Sequence, residues 1–553
     1  MTIAPVTARL MRCCALLLLA LSLSASVLAL PTATAQSRAA RAPVPRLNWT
    51  SCYTHFQCTA ATVPLDYDSP QGATIKLALI RLRAGDPSRR IGSIFINPGG
   101  PGGSGVDAVR NGGRFLFSPE VRARFDIVGF DPRGIAASTP LRCFDTGAEL
   151  LAALPDMAFP VTREEEQTWI EADRAIAGAC AQRATAIIDH MSTGNVARDM
   201  DLLRRAMGEQ RLNFFGVSYG SYIGATYASM FPDKVRAVVV DGVLDPIAWS
   251  TGSGDERSLP VTTRLDSHRG SYATLRQFFT LCNEGEQNCS FSEGSPRRRY
   301  DDLAERLRDE PVEVPDGQGG TFTVGYDDLV GLTRGAMYEP ATWPFLADVL
   351  VELEALSDPG DTAAALRTLR AHLGAYGHTR YPQFEGGAGV ICADSDNPDN
   401  VDTWARAARA ADDEFPYFGR PWTWFSSLCE PWPGADADRY TGPFTKSTHN
   451  PVLVVGNSYD PATPYQGAAK LHRLLPKSRL VTLEGWGHTA LFKSACVNRR
   501  VNGYLLEPYV HTPDATCQPD VVPFAQPVNA RSVAASRERA AIIAPLIRPL
   551  IGG

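Results

Sequence analysis

Arg211-Leu-Asn-Phe-Phe-Gly-Val-Ser218-Tyr-Gly220-Ser-Tyr-Ile-Gly-Ala-Thr-Tyr-Ala-Ser-Met230-Phe-Pro232 is the stretch that decides the fold. Its first part, up to Val217, is rich in strand formers. From Ile223 to Ala228 it continues as a helix, which Pro232 stops. Between the two lies Gly216-Val217-Ser218-Tyr219-Gly220, a G-x-S-x-G. A serine in a strand, tight turn, helix context sits on a strained turn whose backbone must come close to its neighbours, hence the glycines on either side. At the helix N-terminus, the dipole and the free amide of Tyr219 favour a developing oxyanion. Ser218 is therefore a candidate nucleophile. A chance Gly/Ser turn is the bland alternative, and the flanking strand and helix argue against it.

Upstream, Ile91-Gly-Ser-Ile-Phe-Ile-Asn97 reads as a buried strand, and Pro98-Gly-Gly-Pro-Gly-Gly-Ser-Gly105 follows it. So many glycines raise the entropic cost of ordering a loop, which makes sense where backbone must approach something closely. In α/β-hydrolases a second oxyanion amide comes from a loop after an early strand. Gly100 is the candidate donor beside Tyr219. A phosphate-binding loop is the rival reading, but the Gly-Lys-Ser/Thr ending is missing and the dinucleotide spacing is only approximate.

A nucleophilic serine needs a base, and the base an orienting carboxylate. Among the histidines after Ser218, His488 follows the short strand Arg479–Leu483 and the turn Glu484-Gly-Trp-Gly487, where an α/β-hydrolase places its base. For the acid, Pro451-Val-Leu-Val-Val-Gly-Asn-Ser-Tyr-Asp460 is a buried strand ending in a carboxylate. Asp241, closing Val235–Val240, competes with it. Asp460 is preferred because it precedes His488 by one helix, starting near Pro464. Thr463, Pro464 and Gln466 read as a capping box, making Thr463 a helix cap. The expected fold is a mostly parallel sheet flanked by helices, with the order Ser, Asp, His of the α/β-hydrolases.

Asn97-Pro-Gly-Gly-Pro-Gly-Gly-Ser-Gly105, Asp131-Pro-Arg-Gly134, Gly216-Val-Ser-Tyr-Gly-Ser221, Asp241-Gly-Val-Leu-Asp-Pro246, Asp460-Pro-Ala-Thr-Pro464 and Gly487-His488 together resemble the secreted tripeptidyl aminopeptidases, relatives of the prolyl aminopeptidases. The likeness runs from about Trp49 to Cys517, with Ser221 where relatives often carry Thr. It implies a serine exopeptidase acting at free N-termini, with Ser218, Asp460 and His488 as triad and Gly100 in the oxyanion loop. Peptides are the implied substrates, and no cofactor is expected. An esterase or lipase with the same triad is the alternative. A catalytically silent binding protein on the same scaffold fits less well, since serine, acid and histidine all occur in order.

Between the two halves of the core, residues 251–448 lose strand signals and turn helical, with segments at Tyr300–Leu307, Tyr326–Met337, Leu346–Leu356 and Ala363–Leu373 and loops at 310–320 and 357–361. An insertion of this size is a cap that selects substrates. Glu385, Asp394 and Asp396 are its candidates for holding a substrate ammonium through charge-assisted hydrogen bonds. Trp422, Trp424, Phe425 and Trp432 fit either an apolar pocket or the cap's own core, the second being preferred. Asp131-Pro-Arg133-Gly134 is read as a turn rather than as chemistry. The core is thus divided into 36–250 and 449–525, with a tail at 526–553 that alternates arginine and apolar residues on a helical period.

At the N-terminus, Arg9 and Arg12 precede an apolar run from Cys13 to Leu30, and Ala33-Thr34-Ala35 supplies a small-residue cleavage site. Residues 1–35 read as a secretory signal peptide, in preference to a retained membrane anchor, so the mature chain is expected outside the cytoplasm and not inserted in a membrane. Of the twelve cysteines, Cys13 and Cys14 would leave with it. The ten others suit disulfides in an exported chain. Spacing alone does not dictate connectivity, but neighbour pairing (52 with 58, 143 with 180, 282 with 289, 392 with 429, 496 with 517) closes only short or moderate loops. No C-x-x-C or Cys/His cluster suggests zinc. Lys and Arg number 54 against 60 Asp and Glu, a net charge of −6 in 553 residues. That excludes a basic nucleic-acid binder, and 44% hydrophobic residues exclude a disordered chain.

Overall fold

The structure, a computed structural model, describes residues 42–315, 321–356, 384–510 and 513–525. The expected signal peptide, the cap segment Ala363–Leu373, the loop 357–361 and the tail from 526 lie outside the described residues.

In chain order the strands are β1 (Thr50–Cys52), β2 (Phe56–Pro64), β3 (Thr74–Leu82), β4 (Gly92–Asn97), β5 (Phe125–Phe130), β6 (Leu212–Val217), β7 (Val235–Asp241), β8 (Val312–Pro315), β9 (Thr321–Val324), β10 (Val452–Tyr459), β11 (Ser478–Trp486) and β12 (Ala515–Cys517). Among the described residues, all but β8 and β9 form one sheet in the order β1-β2-β3-β5-β4-β6-β7-β10-β11-β12. From β5 to β12 every pairing is parallel, and the β1–β2, β2–β3 and β3–β5 pairings are antiparallel. The α/β-hydrolase fold expected from the elbow is the fold observed. Strands β4, β5 and β6 are buried at every residue. Helices cover both faces of such strands, so their sequences have no reason to alternate and read as continuous apolar runs.

Register brings the functional segments to one edge of the sheet. Asn97 at the end of β4 pairs with Gly216 of β6, Val217 pairs with Asp241 of β7, and Asp241 pairs with Val455 of β10. The loops after β4, β6, β10 and β11 therefore leave at the carboxyl ends of parallel strands, where ligands of open α/β sheets bind.

The cap rises between β7 and β10. It contains the helices Ser267–Gly285, Pro296–Asp309, Tyr326–Met337, Trp343–Leu356, Phe384–Asp394, Val401–Glu414 and Gly419–Trp424. Phe278, Tyr300, Leu303, Trp343, Leu346 and Leu350 are buried in a core of its own. The region expected as a loop at 310–320 is flanked by strand instead. There β8 and β9 pair antiparallel, because Val312-Glu-Val and Thr321-Phe-Thr-Val supply strand formers on both sides of the Gly/Asp-rich residues 316–320. Trp424 packs beside Trp404 in the cap interior and Trp422 donates its indole N–H to Ser271, so both belong to cap structure, whereas Phe425 is partly exposed. The helix Arg163–Arg183, between β5 and β6, joins this roof through Trp169, which donates to Ser427, and Glu166, which meets Arg409 and Arg420.

All five neighbour disulfides are formed: Cys52–Cys58, Cys143–Cys180, Cys282–Cys289, Cys392–Cys429 and Cys496–Cys517. Asp131-Pro-Arg-Gly is a structural turn. Asp131 accepts from Ser104 Oγ and from the Val106 and Ala137 amides. Arg133, fully buried, forms a forked pair with Asp199 at 2.7 and 2.8 Å.

Candidate active site

Ser218 occupies the turn between β6 and the helix Tyr219–Met230 with φ 57° and ψ −123°. A non-glycine residue there stores about 1–3 kcal/mol of strain. Its surroundings impose the conformation. The Ser218 amide donates to the Asp241 carbonyl at 2.9 Å and its own carbonyl accepts from the Ser221 amide at 2.7 Å. A Cβ on Gly216 would lie 2.2 Å from the Gly220 carbonyl oxygen, so only glycine lets the turn close. Ser218 is 4% exposed.

The loop after β4 presses on this turn. Gly99 has φ 93°, and a Cβ on it would fall 2.4 Å from the Val217 carbonyl oxygen, 2.9 Å from Ser218 Cβ and 3.2 Å from the Tyr219 nitrogen. The Gly99 amide is held by Asn97 Oδ1 at 2.9 Å. Among the described residues, the amides of Gly100 and Tyr219 donate to no protein acceptor. An uncommitted N–H at the helix N-terminus next to Ser218, with a second on the residue that follows Gly99 in the loop pressed against the elbow, suits a negative oxygen.

On the far side of the elbow, Asp460 follows β10 and His488 follows β11. Imidazole Nδ1 lies 2.9 and 3.0 Å from the two Asp460 oxygens, and both side chains are fully buried. The amides of Ala462 and Thr463 donate to Asp460 Oδ1, and that of Thr489 to Oδ2. Burial opposes the Asp460 charge, but the imidazole and these amides outweigh it and hold the carboxyl below its ordinary range. A carboxylate facing Nδ1 requires that this nitrogen carry the proton, which leaves Nε2 basic. Among the described residues Nε2 is buried and has no hydrogen-bond partner.

Asp241, the competing acid, faces elsewhere. Its oxygens accept from the Ala490 and Leu491 amides, so it ties down the turn behind His488 rather than the imidazole. Burial pushes its carboxyl up to about 6. Asn457 fixes the same turn from β10, its Nδ2 donating to the Gly487 and Thr489 carbonyls.

Thr463 is not the expected helix cap. The helix Tyr465–Leu474 begins after Pro464 with no side-chain cap, and the Thr463 hydroxyl lies 3.3 Å from His488 Nδ1. Asp460 takes the Thr463 amide and Pro464 fixes the next φ, which turns the hydroxyl back toward the imidazole. The local capping pattern concealed this, and only the 460–464 turn reveals it.

The cap sits directly over both halves. Ser267 and Ser271, on its first helix, donate to the carbonyls of Ala462 and Pro461 beside the acid. Tyr338 accepts the His488 amide at 2.8 Å, and its ring stands 5.2 Å from the imidazole. On the other side, a Cβ on Gly387 would come 2.8 Å from the Pro101 carbonyl oxygen in the glycine loop.

The three acids expected to meet an ammonium part company. Glu385 Oε1 accepts the Cys143 and Phe144 amides at 2.8 and 3.2 Å. Asp394, 2% exposed, has both oxygens engaged by Thr193 and Trp249, which leaves no free face for a substrate. Asp396 pairs with Arg439, and its amide donates to the Ser250 carbonyl.

Residues 92–263 match the α/β hydrolase fold family, and residues 415–517 match the family described as TAP-like protein. A tripeptidyl aminopeptidase of Streptomyces lividans is 31% identical over 502 residues, which cover 88% of this chain and 89% of that one. The chain belongs to the tripeptidyl aminopeptidase family of α/β-hydrolases. Serine protease Hip1 of Mycobacterium tuberculosis H37Rv is 32% identical, with 84% of this chain and 91% of that protein covered. A protein of the same strain named carboxylesterase B is 32% identical, with 88% and 92% covered. As a member of this family the chain is a serine hydrolase.

Proposed function

We propose that this chain is an exported serine exopeptidase that releases short peptides from free N-termini, with Ser218 as nucleophile, His488 as base and Asp460 orienting it. The observation that carries the reading is the Asp460–His488 pair, in which Nδ1 is held at 2.9 Å and Nε2 makes no hydrogen bond to any described residue, Ser218 included, and so is free to take a proton. His488 Nε2 takes the Ser218 proton as the hydroxyl attacks the peptide carbonyl, and the oxyanion draws on the amides of Gly100 and Tyr219. The protonated imidazole then gives its proton to the leaving amine. Water, deprotonated by the same nitrogen, hydrolyses the acyl-enzyme and restores Ser218. Removing one such amide donor in a comparable site costs about 10²–10³-fold in rate.

The names of the relatives support peptide substrates, and a cap seated on both the acid turn and the glycine loop supports selection of small ones. For the substrate ammonium we retain Glu385, whose second oxygen has no protein partner among the described residues. The five disulfides support an extracytoplasmic location.

The test compares tripeptidyl and single-residue anilides with free and acetylated N-termini, and a p-nitrophenyl ester, on the wild type and Ser218→Ala. Cleavage of free-ended peptides only, abolished by Ser218→Ala, is expected. Acetylated peptides cut as fast as free ones would remove the exopeptidase assignment. Ester turnover without anilide turnover would establish the second reading, a carboxylesterase, which the name of one relative favours.

A further inference from the structure

Asp394 ends the cap helix Phe384–Asp394, yet its carboxylate serves the core. The Thr193 amide donates to Oδ1 at 2.7 Å, the Thr193 hydroxyl to Oδ2 at 2.6 Å, and the Trp249 indole N–H to Oδ2 at 3.1 Å. Thr193 Oγ1 also lies 2.6 Å from the Tyr219 hydroxyl. Threonine has one hydroxyl hydrogen, and an ionised Asp394 takes it, so in that state Tyr219 is the donor in this second contact. A continuous chain of hydrogen bonds therefore links Tyr219 through Thr193 to Asp394.

Tyr219 is the residue whose amide follows Ser218. Its ring is 2% exposed and stands 5.7 Å from the ring of Trp249, itself bound to the same carboxylate. A side chain gripped at its tip and on its face cannot change rotamer without breaking both contacts. That fixes the Cα, and with it the peptide plane between residues 218 and 219 against the Gly99–Gly100 loop. The same cap helix touches that loop at Gly387, and Cys392–Cys429 ties its end to the chain returning to β10.

We propose that Asp394, acting through Thr193, is a positioning residue that holds the Tyr219 amide in place as an oxyanion donor, so that the cap completes the hydrolytic site as well as covering it. This rests on the roles given above to Ser218 and Tyr219. A preorganised donor stabilises developing charge without reorganising during reaction, so loosening it weakens the transition state and leaves ground-state binding intact.

Thr193→Val keeps the volume and removes the hydroxyl, Thr193→Ser keeps the hydroxyl, and Tyr219→Phe removes the oxygen at the other end. For each, kcat and KM are measured per active site titrated with a fluorophosphonate, together with inhibition by a peptide aldehyde, whose hemiacetal oxyanion needs the same donors. Thr193→Val and Tyr219→Phe should each lose about tenfold in kcat, a fraction of the cost of losing a whole donor, with KM within about twofold. Aldehyde affinity should weaken in parallel, and Thr193→Ser should behave as wild type. Unchanged kcat per titrated site in both variants overturns the proposal, as does a loss confined to KM or one that leaves aldehyde affinity untouched. If Thr193→Val does not fold, Tyr219→Phe decides. A wild type that fails to react with the fluorophosphonate would strike the functional reading instead, which keeps the two failures apart.

Discussion

Replacing Asp460 and Asp241 in turn by asparagine separates the carboxylate that orients the imidazole from the one that only braces its loop. Asp460 takes the Ala462 and Thr463 amides on Oδ1 and the Thr489 amide on Oδ2. Asparagine offers a single acceptor oxygen, so in either orientation its NH2 confronts a backbone N–H. That orphaned donor costs about 1–3 kcal/mol of stability. With the oxygen kept on the two-amide side, the NH2 also points at His488 Nδ1 and favours the tautomer protonated on Nε2, which cannot act as a base. The loss of kcat should approach about 10⁴-fold, as when the acid of other triads is neutralised. Asp241 differs: its oxygens accept the Ala490 amide, at 2.9 Å on Oδ1 and 3.1 Å on Oδ2, and the Leu491 amide at 2.9 Å on Oδ2, and neither meets the imidazole. Asparagine with its oxygen at Oδ2 keeps the Leu491 bond but sets its NH2 against the Ala490 amide, a cost in stability that leaves the imidazole tautomer alone, so Asp241→Asn should lose less than about tenfold in kcat. The assay is kcat on a tripeptidyl anilide with purified, folded variants, checked by thermal melts. Equal losses in the two variants, or Asp460→Asn within tenfold of wild type, would refute the assignment.

Gly99→Ala drives a Cβ to 2.4 Å from the Val217 carbonyl oxygen at φ 93°, a clash of backbone with backbone; the displaced loop should lower kcat about 10²-fold in a folded protein, and an unchanged rate would mean the loop does not contribute to the site. The Asp173 carboxyl, which accepts from Ser427, is pushed up to about 7 by burial. The folded chain then binds more protons than the unfolded one between roughly pH 4 and 7, so this group's stabilising contribution is complete below that window and lost as pH rises through it. Asp173→Asn lacks the slope, and its stability relative to wild type should rise by at most about 4 kcal/mol from pH 4 to 8 in denaturant titrations; a pH-independent difference would count against it. Replacing Cys392 and Cys429 together by serine opens a bridge with a sequence separation of 37, worth about 4 kcal/mol of unfolded-chain entropy. The melting temperature should fall, and kcat with it, because Asp394 lies two residues beyond Cys392; a lower melting point with full kcat would uncouple the helix end from the site.

By itself the sequence determined what short-range forces determine. Strand formers, a glycine-flanked serine and a proline-stopped helix compel the elbow within some twenty residues, and the parallel sheet follows from buried strands too apolar to face water. Asp460 and His488 were legible because each closes its own strand. The preference for Asp460 over Asp241, which also ends a buried strand, rested on its place one helix before His488, and the contact across 28 residues that agrees with it is a tertiary event. Thr463 looked like a cap because Thr, Pro and Gln fit the local pattern, and only the turn around Asp460 aims its hydroxyl at the ring. Asp394 carried the chemistry of an ammonium ligand in the sequence, but its partner Thr193 lies 201 residues away, and folding gave both carboxylate oxygens to the protein. Hydrogen bonds between segments so distant leave no periodic trace in the chain, because they depend on which surfaces the cap and the sheet bury against each other.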